Sequence, residues 1–450
     1  MPRSANTPVK QPIFREPTFN ELVPTLDPKL FSQAHPSDAQ LYQQIGDLLK
    51  KDVVSFDTAR GNPDDLYGLQ DALGPQGPDA VKAIQKAGQI TFHAVGDTGA
   101  SNVGKYGREL NVADQVTTDT HIADPGNKPA FLFHLGDVVY DFGEAQYYYD
   151  QFYEPYRNYP APIFAIPGNH DSFIVPNTPP DQTPLTTFAR NFCSPKPVIT
   201  AEAKSLHRTA MTQPGVYYAL DAPFVRIIAL FSNALEDPGL ISSEKGKWKG
   251  VPDVQLAFLT AQLQRIKKEN FTGALLIASH HPPFTYSPPA KAGGSGGNHG
   301  CSSDMLAEID SICLQEGVYP HAYLSGHAHN YQRYTRTVNF NGKDYDVPFI
   351  VCGDGGHNVN PLVQASKGKP AKEPANGSKV NYLEAKKPAV KATGLLLERY
   401  DDQNYGYLRI AVDKAQLRIG FHTVGAGSAL AQSRVDMVTV DLASHTMVAN

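Results

Sequence analysis

Short apolar runs that stop abruptly at turns are the feature that most constrains how this chain can fold. Five of these runs have the length of a single β-strand. Each is followed at once by residues that can bind a metal ion. In chain order the turns read Gly96-Asp97-Thr98-Gly99, Gly136-Asp137-Val138-Val139-Tyr140, Gly168-Asn169-His170-Asp171, Ser279-His280-His281-Pro282 and Gly326-His327-Ala328-His329. In an α/β sheet, side chains at such strand ends gather along one edge.

Helical patterns lie between some of the runs and indicate an α/β fold. Apolar residues recur at a spacing of three to four residues over 256–266 and again at Leu306, Ile309 and Cys313. Ser303 is the predicted N-cap of the second helix, and Gly317 is its predicted end. Upstream, helices are predicted after the capping-box pattern at Ser37 and over 79–87.

The rest of the chain supports one large catalytic domain. Beyond Asn330 the pattern is richer in strands, which are predicted over 349–352, 395–399, 405–412 and 416–422. We therefore predict an N-terminal extension over 1–88 that is partly helical and has no β-sandwich domain. The catalytic domain is predicted over 89–430, and a C-terminal tail or last strand over 431–450.

Composition excludes several classes of function. The chain has 40 basic and 45 acidic residues, a net charge of −5 and no basic run, so a nucleic-acid-binding surface is not expected. No apolar window approaches the length of a membrane span, which is about 18 residues. The polar stretch Met1 to Pro17 lacks the apolar core of a signal peptide, which predicts a soluble, cytoplasmic protein. An exported protein from which the signal peptide had been removed would show the same pattern. The four cysteines allow either free thiols or one Cys301–Cys313 bridge.

The five turns together offer carboxylates, an amide, a phenol and several imidazoles. Such a mixed set suits a pair of metal ions that are hard to borderline in character. Glycines beside the candidate ligands let the backbone approach an ion where a Cβ would collide. Each motif alone is common in ordinary turns, but five of them in this arrangement indicate a metal centre.

The series resembles the metallophosphoesterase (calcineurin-like) superfamily over roughly Gln89 to His422. That superfamily usually opens with GDxH, whereas Gly99 stands here at the histidine position. Its second motif usually lacks a tyrosine, whereas this chain has Tyr140, and both departures resemble the purple acid phosphatases. The glycine-rich turn 351–356 extends the resemblance. The implied fold is α/β, an αββα sandwich of two packed mixed β-sheets flanked by helices.

The resemblance also implies a ligand set for two metal ions. Fe(III) would be bound by Asp97, Asp137, Tyr140 and His329, and a divalent iron, zinc or manganese ion by Asp137, Asn169, His280 and His327. Asp137 would bridge the two ions. The motif places the ligand two residues before the proline, which favours His280 over His281 and leaves His281 to face the substrate.

The implied reaction is hydrolysis of a small phosphomonoester by in-line attack of a metal-bound hydroxide. The alternatives are a phosphodiesterase of the same superfamily and a metal-binding scaffold protein that has lost catalysis. His170 is the candidate general acid or phosphate donor, and Asp171 is placed to orient it. His299 is either a second proton donor or an exposed loop residue. His93 and His134 are predicted to be core or supporting residues, and His357 could lie near the site. The sequence carries no signal for the oligomeric state.

Overall fold

The structure is a computed structural model that describes part of the chain. The described residues are 31, 66–172, 185–236, 238–286, 300–363, 373–380, 388–425 and 433–448. The helix predicted after Ser37 and the candidate His299 lie outside these ranges. None of the helices in the described ranges is long and apolar enough to cross a lipid bilayer.

The described residues form helices and strands that alternate through the first two thirds of the chain. The α-helices are α1 (Leu69–Ala72), α2 (Gly77–Ala87), α3 (Val103–Asp119), α4 (Thr186–Phe192), α5 (Val254–Glu269) and α6 (Ser303–Glu316). The strands are β1 (Leu66–Gly68), β2 (Gln89–Val95), β3 (Pro129–His134), β4 (Ile163–Ala165), β5 (Tyr218–Ala222), β6 (Val225–Leu230), β7 (Ala274–Ser279), β8 (Ala322–Ser325), β9 (Tyr331–Phe340), β10 (Lys343–Cys352), β11 (Ser378–Lys379), β12 (Ala392–Asp401), β13 (Tyr405–Asp413), β14 (Gln416–Val424), β15 (Ser433–Asp441) and β16 (Thr446–Val448).

The strands build two mixed β-sheets. Within the described ranges, the first sheet has the order β1-β5-β6-β7-β8-β10-β9-β12-β11, and the second has the order β16-β15-β14-β13-β2-β3-β4. Strands β6, β7, β8 and β10 run parallel in the first sheet, as do β2, β3 and β4 in the second. The carboxyl ends of each parallel set therefore lie at one edge of its sheet.

The two sheets pack face to face, with helices outside them. Tyr331 of β9 stacks on Phe421 of β14 with ring centroids 3.9 Å apart, and Phe133 of β3 lies 6.4 Å from Tyr218 of β5. Helix α3 packs on the second sheet, while α5 and α6 pack together beside the first. This arrangement confirms the predicted αββα sandwich.

The ends of the chain contribute to both sheets. Strand β1 pairs with β5, and Tyr67 and Leu69 are part of the main core, so residues 66–88 of the predicted extension pack with the catalytic fold. Strands β15 and β16 complete the edge of the second sheet next to β14. The domain boundaries at 88 and 430 remain predictions.

Local signals explain where the helices begin and end. The α3 helix begins after Asn102, whose Oδ1 accepts hydrogen bonds from the amides of Gly104 (3.0 Å) and Lys105 (3.2 Å). The N-cap of α6 is Ser302 rather than the predicted Ser303, because the Ser302 hydroxyl accepts the Met305 amide at 3.0 Å. Gly317 ends α6 as predicted, with a φ of 72°. All four cysteines are free thiols.

Candidate metal centre

The predicted turns meet where the parallel strands of the two sheets end. Main-chain hydrogen bonds join them: the amide of Asp97 donates to the Gly136 carbonyl at 2.9 Å, and the amide of Gly96 donates to the Cys352 carbonyl at 3.0 Å. The Gly326 amide likewise donates to the His280 carbonyl at 3.0 Å. These bonds hold turns from both sheets in register, so the site is built at the seam between the sheets.

Three of the predicted ligands adopt a left-handed backbone. The φ angles of Asp97, Asp137 and His327 are 57°, 55° and 68°. This region is unfavourable for residues with a Cβ, and such strained positions recur at functional sites. At each of these positions the chain leaves its strand in a tight turn that directs the side chain to the sheet seam.

One group of donors contains the phenol, and we call Asp97, Tyr140 and His329 the phenol half-site. The Tyr140 Oη lies 3.3 Å from Asp97 Oδ1 and 3.3 Å from His329 Nε2. The Asp97 Oδ1 and His329 Nε2 atoms are also 3.3 Å apart. Because first-row ions lie about 2 Å from such ligands, three donors at this spacing can share one ion.

A second group contains an amide and two imidazoles, and we call Asn169, His280 and His327 the imidazole half-site. The His280 Nε2 atom lies 3.0 Å from Asn169 Oδ1 and 3.3 Å from Asp137 Oδ1. Donor atoms of Asp137, His280 and His327 all lie within 4.8 Å of one another. This group can therefore hold an ion beside the first one.

Hydrogen bonds select the ring nitrogens that point into the imidazole half-site. The Nδ1 of His280 lies 2.8 Å from the Leu135 carbonyl, so it carries a proton and Nε2 faces inward. The Nε2 of His327 lies 2.9 Å from the Glu236 carbonyl, so Nδ1 is the nitrogen that could bind an ion. The Asn169 Nδ2 donates to Glu236 Oε2 at 3.2 Å.

Asp137 lies between the two half-sites. Burial opposes its charge, but His280 and His170 beside it hold the pKa of Asp137 well below its usual range. Burial raises the pKa of the Tyr140 phenol well above its usual value, and the carboxylates of Asp137 and Asp97 raise it further. A phenolate at this position therefore requires a cation next to it, which fits the donor set of a metal centre.

Gly99 leaves the room that the Tyr140 ring occupies. A Cβ at position 99 would lie 2.6 Å from Gln151 Oε1, 2.6 Å from the Val138 carbonyl oxygen and 3.1 Å from Tyr140 Cδ2. A side chain at this position would therefore crowd Gln151 and the Val138 carbonyl most closely, and the Tyr140 ring next. Glycine at the position of the usual GDxH histidine fits this close packing.

Two histidine rings hold the Tyr140 ring between them. The ring of His357 stacks on it with centroids 3.5 Å apart, and the ring of His170 lies 4.2 Å away. The Nδ1 of His357 lies 2.7 Å from the Gly99 carbonyl, and its Nε2 lies 2.7 Å from Lys105 Nζ. His357 is thus next to the site, and Lys105 places a cation behind it.

His170 and Asp171 take different parts in the site. The Nδ1 of His170 lies 2.8 Å from the Asp141 carbonyl, and its Nε2 lies 4.0 Å from Asp137 Oδ2. Asp171 accepts the amides of Val138 (3.0 Å) and Gly168 (2.9 Å). The carboxylate therefore holds two of the turns in place, whereas the sequence suggested that it orients His170.

His281 points away from the position expected for a group that faces substrate. It is fully buried, with Nδ1 2.7 Å from Ser232 Oγ and Nε2 2.7 Å from the Leu235 carbonyl. Its ring packs against His327 with centroids 4.2 Å apart. With both ring nitrogens bound to Ser232 and Leu235, His281 supports His327 rather than a substrate.

Two further predicted histidines support the site from the core. His134 is buried, and its Nε2 lies 2.9 Å from the hydroxyl of Thr98 in the first motif. His93 is buried against Asp119 at 3.2 Å. Glu236 and Lys105 were not found from the sequence, because neither lies in a motif and their contacts join distant parts of the chain.

Known proteins resemble this chain to different degrees. A sequence profile of the calcineurin-like phosphoesterase family matches residues 90–331, more than half of the chain. No curated protein sequence matches the chain. Among solved structures, GAP50, the anchor in the inner membrane complex of Plasmodium, is 12% identical, with 77% of this chain and 89% of that chain covered and a TM-score of 0.42. PhoD is 13% identical, with 80% and 72% covered and a TM-score of 0.43. The profile match spans all five turns of the centre, and the chain therefore belongs to the calcineurin-like phosphoesterase family, whose members are metal-dependent phosphoesterases.

Proposed function

We propose that this protein is a purple acid phosphatase-like enzyme that hydrolyses phosphomonoesters at a centre of two metal ions. The observation that carries the proposal is the Tyr140 hydroxyl, which lies 3.3 Å from both Asp97 Oδ1 and His329 Nε2. A phenol in this position adds an anionic oxygen to the donor set and replaces the neutral nitrogen of the more usual histidine.

The two half-sites suit different ions. Asp97, Asp137, Tyr140 and His329 supply mainly hard anionic oxygens, which favour Fe(III). Asp137, Asn169, His280 and His327 supply an amide oxygen and two imidazoles, which favour divalent iron, zinc or manganese. Asp137 belongs to both sets, because its Oδ1 lies 3.3 Å from His280 Nε2 and its charge raises the pKa of the Tyr140 phenol.

Two ions bound here would lower the pKa of a water molecule and neutralise charge on the phosphate during in-line displacement. The chain itself fixes the geometry around them. The Leu135 and Glu236 carbonyls orient the rings of His280 and His327, and Asp171 ties the turns that carry Asp137 and Asn169. These groups keep the donors in place before a substrate arrives, which limits reorganisation during the reaction.

His170 is the group we assign to proton transfer. The Asp141 carbonyl accepts from Nδ1, and this bond directs Nε2 toward Asp137 and the ion sites. Nε2 is therefore the atom that would hold the proton passed to the leaving-group oxygen. His299, which lies outside the described residues, remains a predicted second proton donor or phosphate contact.

The test compares p-nitrophenyl phosphate with bis-p-nitrophenyl phosphate from acidic to neutral pH, with iron, zinc and manganese counted in the same sample. We expect the monoester to be preferred and two ions to be present for each chain. Asn169→Ala and His170→Ala should lose turnover while keeping the fold, as judged by circular dichroism.

Three results would count against the proposal. Preference for the diester would indicate a phosphodiesterase at the same centre. Two bound ions without turnover of either ester would support the scaffold alternative. Wild-type turnover in both Asn169→Ala and His170→Ala would show that the assigned residues are not the active site.

A further inference from the structure

Glu236 contacts two residues of the imidazole half-site although it belongs to none of the five motifs. Its side chain accepts a hydrogen bond from Asn169 Nδ2, with Oε2 at 3.2 Å. Its main-chain carbonyl accepts from His327 Nε2 at 2.9 Å. One residue thus holds two of the three side chains of this half-site.

The segment that carries Glu236 is itself fixed. Residues 232–236 follow β6, and Asn233 turns the chain with a φ of 78° while its side chain accepts the Leu235 amide. The Leu240 amide donates to the Ser232 carbonyl at 3.0 Å, which closes the turn. Ser232 and Leu235 also bind the two ring nitrogens of His281. The segment therefore offers its hydrogen-bond acceptors from a defined position.

The bonds of Glu236 decide which atoms point toward the ion. A side-chain amide has an oxygen and a nitrogen at nearly equivalent positions, and only the oxygen binds a cation. Because Glu236 Oε2 is an acceptor, it selects the orientation in which Asn169 Nδ2 points to it and Oδ1 points to His280. The carbonyl of Glu236 makes the corresponding choice between the nitrogens of His327.

We propose that Glu236 is a positioning residue for the second ion, one that selects Asn169 Oδ1 and His327 Nδ1 as the metal-binding atoms. The inference rests on the proposed two-ion centre. It adds that the divalent ion depends on a residue outside the family motifs, through its side chain on one ligand and its main chain on the other.

The test uses three substitutions that separate a hydrogen-bond acceptor from a negative charge. Glu236→Gln keeps an acceptor at the same reach and removes the charge. Glu236→Asp keeps the charge but withdraws the acceptor by one methylene, and Glu236→Ala removes both. Metal-free full-length protein is titrated with Mn²⁺ by calorimetry, and bound manganese is counted after dialysis.

We expect Glu236→Ala and Glu236→Asp to weaken the second Mn²⁺ site by about 10-fold to 100-fold and to leave the first site unchanged. Glu236→Gln should stay within about threefold of the wild type, because its amide oxygen still accepts from Asn169. Glu308→Ala is the matched control: Glu308 is also half-buried and accepts one hydrogen bond, from Ser242 at 2.6 Å, but it touches no candidate ligand.

The outcomes separate this inference from the proposed function. Wild-type Mn²⁺ binding in Glu236→Ala, or weak binding in Glu236→Gln with normal binding in Glu236→Asp, would overturn the positioning role and leave the two-ion centre intact. A wild-type protein that binds no Mn²⁺ would overturn both proposals. Thermal unfolding of the metal-free variants shows whether a loss of binding comes from a loss of fold. The Mn²⁺ affinity of Glu236→Gln then shows whether binding depends on the charge of Glu236 or on its hydrogen bond.

Discussion

The phenol half-site and the imidazole half-site lie on either side of Asp137, but they hold their donors differently. In the imidazole half-site, main-chain carbonyls and Glu236 fix which atom of each side chain points inward. In the phenol half-site, the Tyr140 ring is held by packing between His357 and His170, and only His329, whose Nδ1 lies 3.4 Å from Asn360 Nδ2, has a ring nitrogen to be selected. The difference follows from the donors: an imidazole or an amide has two candidate atoms and needs a hydrogen bond to choose one, whereas a phenol has one oxygen and needs only a fixed ring.

The largest expected effect comes from the residue that both half-sites share. Asp137→Ala should lose both ions and reduce phosphoester turnover by at least about 10³-fold, or ~4 kcal/mol. Metal counting and turnover of p-nitrophenyl phosphate measure the effect. Asp79→Ala is the control, because that side chain is 95% exposed on α2. Retention of two ions in Asp137→Ala would show that Asp137 is not a ligand that the two half-sites share.

Variants of single half-sites sharpen the comparison. Tyr140→Phe keeps the ring between its two histidine neighbours and removes only the oxygen, so it should lose the ferric ion and keep the divalent one. Asn169→Ala should do the reverse, and each should reduce turnover by about 10²-fold to 10³-fold. Iron and zinc counts, together with the visible absorption of the iron-loaded protein, distinguish the two results. Loss of the same ion from both variants would mean that the half-sites do not act separately.

The pH dependence of stability tests a buried histidine that belongs to neither half-site. His321 directly precedes β8, at the other end of the strand from His327, with Nδ1 3.0 Å from the Leu275 amide and Nε2 3.1 Å from the Leu442 carbonyl. Burial lowers the pKa of His321 to about 4. Its unfolded-state pKa is about 6.5, so below that pH the unfolded chain takes up a proton that the folded chain does not.

The stability supplied by neutral His321 is therefore complete above pH ~6.5, falls as the pH drops to about 4, and is level below that. The total loss is on the order of 3 kcal/mol. His321→Gln keeps a donor and an acceptor without a titrating ring, and it should flatten this part of the curve in urea unfolding measured at several pH values. Parallel curves for the variant and the wild type would contradict the assignment.

The smallest effect tests the packing of the phenol half-site. In Gly99→Ala the new methyl would lie 2.6 Å from both Gln151 Oε1 and the Val138 carbonyl, so we expect a loss of about 2 kcal/mol in the free energy of unfolding. Gly107→Ala is the matched control. Position 107 lies within α3 with open space around its Cβ, and the change there should stabilise the protein by about 0.5–1 kcal/mol. Equal behaviour of the two variants would show that position 99 is not crowded.

The sequence predicted the fold class and brought the candidate ligands together because both depend on local signals. Asp97 and Asp137 follow buried strands directly, and parallel strands place such residues at one sheet edge. Strand β1 was not predicted, because a run of three residues has no detectable period. Helix α3 was also missed, since several of its buried positions are polar, including Glu109, Gln115 and Asp119.

The supporting residues of the site depend on contacts between distant parts of the chain. Glu236 is 67 residues from Asn169, and Lys105 is 252 residues from His357. Nothing in the sequence around either residue marks such a contact. The same holds for His281, whose ring nitrogens are bound by Ser232 and Leu235, 49 and 46 residues before it in the chain.

The crowding at Gly99 also bears on how a centre of this kind can change over generations. A side chain gained at position 99 meets Gln151 and the Val138 carbonyl first and the Tyr140 ring next, so it would have to displace its neighbours. A tyrosine lost at position 140 would leave the phenol half-site short of a donor. A change of donor set at this centre therefore requires adjustment at several positions at once, among them 99, 140 and 151.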